Sequence, residues 1–260
     1  MLATHWDTSA ETYSVESEKI SFYQITNREL IAAGQMQPGM TIVDLGCGAG
    51  LTTQIILASF RDRCTIYAVD LSEKMLQQAR RAITSKSVHF IHASADDFSR
   101  YIPEGIDRVF CNAAFWHFPD DSAVLKEIRI VLKTTGRFLF NIPDQEFDFG
   151  DGKRSEMAQV VSACLKPPLR SESLRYSYAT IQSLAIENGL CIIDFKIIEI
   201  DIHPEDVIRF YSIPHVGARR FPDISQEERR EIFTKAFSVL SPNQFPKYRW
   251  AQFTLTPGVS

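Results

Sequence analysis

The sequence predicts an α/β fold, a mostly parallel sheet with helices on both faces. Short apolar runs alternate with helix-length segments through residue 143. A glycine-rich turn, Gly46-Cys47-Gly48-Ala49-Gly50, joins the first apolar run to the helix that follows it. The chain has 260 residues, 45% hydrophobic and 23% charged, which suits one large soluble domain.

The elements follow in order. Residues 16–34 read as a helix, stopped by Gly34 and by Pro38-Gly39. Strand-like runs cover 41–45, 64–69, 88–93, 107–112 and 137–143. Helix-like segments at 52–60, 73–84 and 122–132 separate most of them, with Ser72 placed to cap the second. Strands linked by helices of this length imply right-handed crossovers and parallel pairing. Ile42-Val43, Ile66-Tyr67-Ala68-Val69 and Phe138-Leu139-Phe140 are nearly continuous apolar runs, as parallel strands buried on both faces require.

The pattern changes after Pro143. Residues 144–152 read as a loop carrying Phe147 and Phe149. Helices are expected at 153–165, 178–187, 204–211 and 226–240, with strands at 191–202 and 249–256. The expected layout is one domain over 1–260. Residues 1–40 form an N-terminal helical lid, 41–143 a ligand-binding core, and 144–250 a cap that also completes the sheet.

Composition excludes several classes. The net charge of −4 argues against nucleic acid as partner. The sequence holds no apolar run of about 18 residues, the length a membrane span needs. The start, Met1-Leu2-Ala3-Thr4-His5-Trp6-Asp7, is unlike a signal peptide. Five scattered cysteines without a Cys-x-x-Cys pair read as reduced thiols of a cytoplasmic protein, not as a disulfide frame or a metal site.

Four features converge where ligands bind in open α/β sheets, outside the carboxyl ends of strands. They are the turn with Asp44, Gly46, Gly48 and Gly50, then Asp70 at the end of the second strand, then Ala95-Asp96-Asp97, then Asn112. Glycines at a strand-to-helix turn let a ligand approach the backbone. Leu51 stands where a dinucleotide fingerprint needs its third glycine, which argues against a nicotinamide cofactor. A carboxylate at Asp70 suits ribose hydroxyls.

These residues resemble a known family. The stretches 43–50, 69–76, 95–97 and 124–133 leading to Gly136 are similar to the class I S-adenosylmethionine (SAM)-dependent methyltransferases of small molecules, such as those of ubiquinone and menaquinone synthesis and of natural products. The resemblance covers residues 5–143 and implies a Rossmann-like, seven-stranded sheet, with SAM as cofactor and S-adenosylhomocysteine (SAH) as product. It implies that Gly46, Gly48 and Gly50 shape the loop under the methionine moiety and that Asp44 orients it. Asp70 would hold the ribose, Leu71 and Met75 would pack on the adenine, and Ala95 and Asp96 would read its edge. Asn112 would lie near the methionine amino group, and Tyr13 would close over the cofactor, although packing alone explains a tyrosine there equally well.

His117, after the fourth strand, is the catalytic candidate, read as a wall or positioning group ahead of a general base. Trp116, Tyr176 and His215 are candidate acceptor contacts, His215 reading equally as a loop residue. Arg219-Arg220 and Arg229-Arg230, among Glu227, Glu228 and Glu231, read as a solvated mixed-charge helix. Aromatic residues crowd the cap: Phe147, Phe149, Tyr176, Tyr178, Phe210, Tyr211, Phe221, Tyr248 and Trp250. That density points to a lipophilic small-molecule acceptor. The alternatives are a non-catalytic SAM-binding module and a protein or RNA methyltransferase. The sequence is silent on the acceptor atom and on oligomeric state.

Overall fold

The computed structural model describes residues 2–144, 156–164, 176–241, 244–245 and 247–258. The expected alternation becomes seven strands: β1 (Thr41–Leu45), β2 (Thr65–Asp70), β3 (Val88–His92), β4 (Ile106–Cys111), β5 (Leu132–Pro143), β6 (Leu190–Asp201) and β7 (Lys247–Pro257). They form one sheet in the order β3-β2-β1-β4-β5-β7-β6. Strands β1 to β5 pair in parallel, and β7 runs antiparallel to both β5 and β6. The winding reverses at β1, which has β2 on one side and β4 on the other. A crevice at the carboxyl ends of those strands is the expected consequence.

The helices are α1 (Leu2–Ser17), α2 (Ser21–Ala33), α3 (Leu51–Phe60), α4 (Glu73–Ala82), α5 (Asp121–Val131), α6 (Glu156–Cys164), α7 (Tyr178–Glu187), α8 (Pro204–Ser212), α9 (Pro214–Arg220) and α10 (Gln226–Phe237). Three differ from the sequence reading. Instead of one helix over 16–34 the chain forms α1 and α2, broken where Ile20 turns extended and fully buried. Residue 132 leaves α5 in an extended conformation and pairs with Ile106, so β5 starts five residues earlier than the 137 expected. The short α9, opened by Pro214 at its first turn, was not foreseen. The loop 145–152 with Phe147 and Phe149 lies outside the described residues.

Period-two alternation explains the two-sided core. Val43, Leu45, Val109, Phe138 and Phe140 face one side and pack with α5 residues Val124, Leu125 and Ile128. Ile42, Ile66, Phe110 and Leu139 face the other and pack with Leu30, Ile31 and Ile56. Phe138, Phe140 and Phe253 stack across β5 and β7 at 4.8 and 5.2 Å. A separate apolar cluster joins Phe22, Tyr211, Phe221, Phe233, Tyr248 and Trp250 beneath α8 to α10. Of the cap aromatics, Phe210, Tyr211, Phe221 and Tyr248 thus pack into this core with Trp250, while Tyr176 joins the core on the α5 side of the sheet.

No helix among the described residues is long and apolar enough to cross a membrane. Among them, no group of three or more His, Cys, Asp or Glu is placed to hold a metal ion. All five cysteines are free thiols.

Candidate active site

The site begins where β1 runs into α3. After Leu45 the backbone turns sharply, and the amides of Gly46 and Cys47 both donate to the Val69 carbonyl, at 2.9 and 3.0 Å. This pins the turn to the end of β2. Gly46 has φ +71°, and a Cβ there would stand 2.7 Å from Cβ of Ala114. Gly48 has φ +52°, and its Cβ would stand 3.2 Å from the Tyr13 ring. Both positions therefore exclude a side chain, by backbone conformation and by crowding.

Asp70 organises this turn. Its Oδ2 accepts from the Gly48 amide and its Oδ1 from the Ser72 amide, both at 2.8 Å. Each carboxylate oxygen keeps a lone pair for another donor. Burial raises the Asp70 pKa, while the amides of Ser72 and Gly48 and the nearby His92 oppose that rise. Asp44 lies behind the turn, 1% exposed, and Thr53 Oγ1 donates to its Oδ2 at 2.6 Å. Burial pushes its pKa up to about 7 against the lowering effect of Thr53.

The carboxyl end of β4 makes the floor. Ala113 adopts φ +54°, a conformation few non-glycine residues take. Its amide donates to Asn141 Oδ1 at 2.8 Å, and Asn141 Nδ2 donates to Asn112 Oδ1 at 2.6 Å. Asn141 of β5 thereby holds the strained turn in place.

Helix α1 makes the roof. Asp7 Oδ1 accepts from Ser72 Oγ at 2.6 Å, which ties α1 to the residue capping α4. Trp6 and Tyr13, seven positions apart on one face of α1, meet edge to face at 5.9 Å. Burial, and then the charges of Asp70 and Asp44, push the Tyr13 phenol up, so it stays neutral.

These parts enclose a cavity of about 880 Å³, open mouth included. Tyr13, Gly46, Gly48 and Asp70 line it, with Leu71, Met75, Ala95, Asn112 and His117, all singled out from sequence. Trp6, Ser94, Ala114, Phe118 and Pro119 also line it and were not foreseen. The spacing of Trp6 and Tyr13 on one helical face was the available signal for Trp6.

Other expected residues lie elsewhere. Asp44 sits behind the loop, outside the lining. Gly50 packs on α4, where a Cβ would meet Ile83 at 2.8 Å. Asp96 is exposed and outside the lining. Trp116 wedges between His117 at 5.0 Å and Trp250 at 5.6 Å, half-buried against two cores. Tyr176 is placed away from the cavity: its hydroxyl donates to Asp121 at 2.9 Å and its ring packs on Phe115 at 5.9 Å. His215 stands behind Trp6, at 4.6 Å between ring centres. Arg229, read as solvated, is 4% exposed and donates to the carbonyls of Tyr211 and Ile224 at 3.1 and 2.5 Å.

The residues present fit SAM. Gly46 and Gly48 form a cradle that any Cβ would fill, Asp70 offers acceptor lone pairs, and Leu71, Met75 and Ala95 offer an apolar slot.

Comparison with known proteins agrees. Residues 43–140 match a family model described as a methyltransferase domain. The chain is 26% identical over 257 residues to a malonyl-[acyl-carrier protein] O-methyltransferase of Priestia megaterium, covering 94% of this chain and 90% of that one. It is 31% identical over 139 residues to a trans-aconitate 2-methyltransferase of Rhodopseudomonas palustris, covering 53% of this chain and 51% of the relative. Among solved structures it resembles the phosphoethanolamine N-methyltransferase 2 of Haemonchus contortus, solved in complex with SAM. The TM-score is 0.57 at 19% identity, over 90% of this chain and 52% of that one. At that identity the likeness speaks to the fold.

Proposed function

We infer that this chain, a SAM-dependent methyltransferase of class I fold, moves the methyl group to an oxygen, nitrogen or carbon nucleophile of a lipophilic small molecule. The carrying observation is one cavity that brings together the Asp70 carboxylate, the glycine turn and an apolar and aromatic wall. Asp70 holds the turn through the Gly48 amide and lines the cavity beside Gly46 and Gly48. Trp6, Ala113, Ala114, His117, Phe118 and Pro119 supply the wall.

SAM supplies a methyl group made electrophilic by a positively charged sulfur. The chain's residues supply alignment and dryness. Asp70 accepts hydrogen bonds from the ribose hydroxyls, Leu71 and Met75 pack on the adenine, and Tyr13 covers the turn. Trp6, His117 and Phe118 wall the acceptor and keep water out. Alignment of this kind accounts for much of the barrier lowering in a displacement at carbon. A base adds rate only where the acceptor must lose a proton. The acceptors named for two relatives, a malonyl group on a carrier protein and trans-aconitate, both carry carboxylates.

The test is transfer of label from methyl-labelled SAM to a panel of lipophilic acceptors, with wild type and Asp70→Ala side by side. Label is expected in the organic extract of the wild type, and at least tenfold less of it with the variant at limiting SAM. Transfer confined to RNA or protein, or SAH binding with no transfer to any acceptor, counts against the reading.

A further inference from the structure

We propose that Asn141 of β5 is a positioning residue: it holds the side-chain amide of Asn112 with the N–H₂ group turned to the cavity, where that group donates to the carboxylate on the amino-acid end of SAM. This deepens the methyltransferase reading and rests on it. Asn141 is fully buried and does not itself line the cavity. Strands β4 and β5 pair Cys111 with Phe140, so the next residue of each, Asn112 and Asn141, stand side by side at the strand ends.

The hydrogen bonds fix the sense of both amides. A backbone amide only donates, so the Ala113 N–H at 2.8 Å identifies the Asn141 atom it meets as the oxygen. The other arm of Asn141 is then the N–H₂ group, a donor only. The Asn112 atom that it meets at 2.6 Å is therefore an oxygen as well. The Asn112 nitrogen is left on the opposite arm. It bonds to no described residue, yet it is not sealed from solvent. The open space that Asn112 borders is the cavity. An unheld amide could turn over and show its oxygen instead; the bond from Asn141 forbids that.

The lining calls for such a donor. SAM ends in an amino acid whose carboxylate is negative. Among the described residues no lysine or arginine lines the cavity, so neutral donors must meet that charge. Strand β1 lies between β2 and β4, which sets Asp70 and Asn112 on opposite sides of the glycine turn. Like charge keeps a second anion from Asp70 and leaves it the β4 side. There a fixed N–H₂ group gives a charge-assisted bond, stronger than a neutral one.

Asn141 also serves the backbone. Ala113 holds φ +54°, and its amide takes the Asn141 oxygen. The two roles separate by substitution. Glycine adopts that φ without strain, so Ala113→Gly relieves the turn of its need for Asn141 and does nothing for the Asn112 amide.

The experiment is calorimetry and a thermal melt on the full chain with three probes: SAH, its decarboxylated analogue, and methylthioadenosine, which lacks the whole amino-acid end. Wild type is expected to bind SAH at least tenfold more tightly than the decarboxylated analogue. Asn141→Leu is expected to cut that preference to threefold or less and to lower Tm, while methylthioadenosine affinity stays within threefold of wild type. Asn141→Leu combined with Ala113→Gly is expected to regain Tm but not the preference; this double variant carries the test where the single one does not fold. Asn112→Ala is expected to lose the preference too. No preference in the wild type, an unchanged one in Asn141→Leu, its return in the double variant, or an equal loss for all three probes overturns the positioning role and leaves the methyltransferase reading standing. Failure of the wild type to bind any of the probes overturns that reading instead.

Discussion

Replacing Asp70 by Asn is the sharpest perturbation of the proposed cofactor end. The carboxylate accepts two backbone amides, from Gly48 and Ser72, at 2.8 Å each. Asparagine keeps one oxygen and turns an N–H₂ group toward the other amide, so one charge-assisted bond is lost and two donors face each other. A hydrogen bond to a charged group contributes about 1.5–3 kcal/mol, so a stability loss near 2 kcal/mol is expected. At roughly 2–4 °C per kcal/mol for a chain of this size, Tm falls by about 4–8 °C. The ribose hydroxyls would draw on the same two oxygens. Weakening those bonds costs a further ~1.5–3 kcal/mol in binding, or about 10- to 150-fold in the Kd of SAH. The assay is calorimetric titration of SAH into wild type, Asp70→Asn and Asp96→Asn, with a thermal melt of each free protein. Asp96 is exposed and outside the cavity, so its variant should bind SAH within threefold of wild type. A lowered Tm with an unchanged SAH affinity in Asp70→Asn would refute the cofactor role and leave Asp70 as a loop organiser. A large loss in Asp96→Asn would show that the adenine reaches further than the described cavity.

Three further outcomes are expected. Gly46→Ala places a Cβ 2.7 Å from Ala114 at a positive φ, so SAH binding should fall at least tenfold in a titration and the melt should move down. The pKa of Asp44 is raised in the folded state to about 7, so between about pH 4 and 7 the folded chain holds a proton that the unfolded chain has released. Stability of the free protein therefore declines as pH rises through that window and levels off above it; Asp44→Asn should flatten the Tm profile from pH 5 to 8. Arg229→Met strips the carbonyls of Tyr211 and Ile224 of a buried donor, so Tm should drop with SAH affinity unchanged, Arg229→Lys recovering part of the loss; an unaltered Tm would refute the anchoring role of Arg229.

The parallel half of the sheet was legible because its signals are local. Buried parallel strands are apolar on both faces, and residues 41–45 and 65–70 lie within a residue of the runs read from the chain. The glycine turn and Asp70 were legible because a positive φ and a strand-end carboxylate are tied to sequence position. What failed depended on distant partners. No local pattern shows that Tyr176 turns to Asp121, or that the cap aromatics pack on one another and leave the cavity lining to α1 and the β4 loop. Arg229 is instructive. It shares a buried helical stripe with Phe233, Ala236 and Phe237, which the 3.6-residue period marks as inward, but its charge and its Glu227, Glu228 and Arg230 neighbours argued for solvent. The carbonyls of Tyr211 near the end of α8 and of Phe221 and Ile224 in the turn after α9 decide the matter, and they cannot be seen along the chain.

The place of β7 between β5 and β6 has a consequence for how the molecule is made. Among the described residues it is the last strand in sequence and the sheet neighbour of β6. During synthesis β1 to β5 can assemble as they emerge, while β6 must wait with an unpaired ladder until residues 247–257 arrive. Its insertion joins segments as remote as Phe138 and Leu255, the kind of closure that slows folding. A chain stalled before residue 247 would present two open strand edges at once, and open edges recruit strands from other molecules. Insertion of β7 therefore removes the two edges that β5 and β6 would otherwise turn toward each other, leaving β3 and β6 as the outer strands of the sheet.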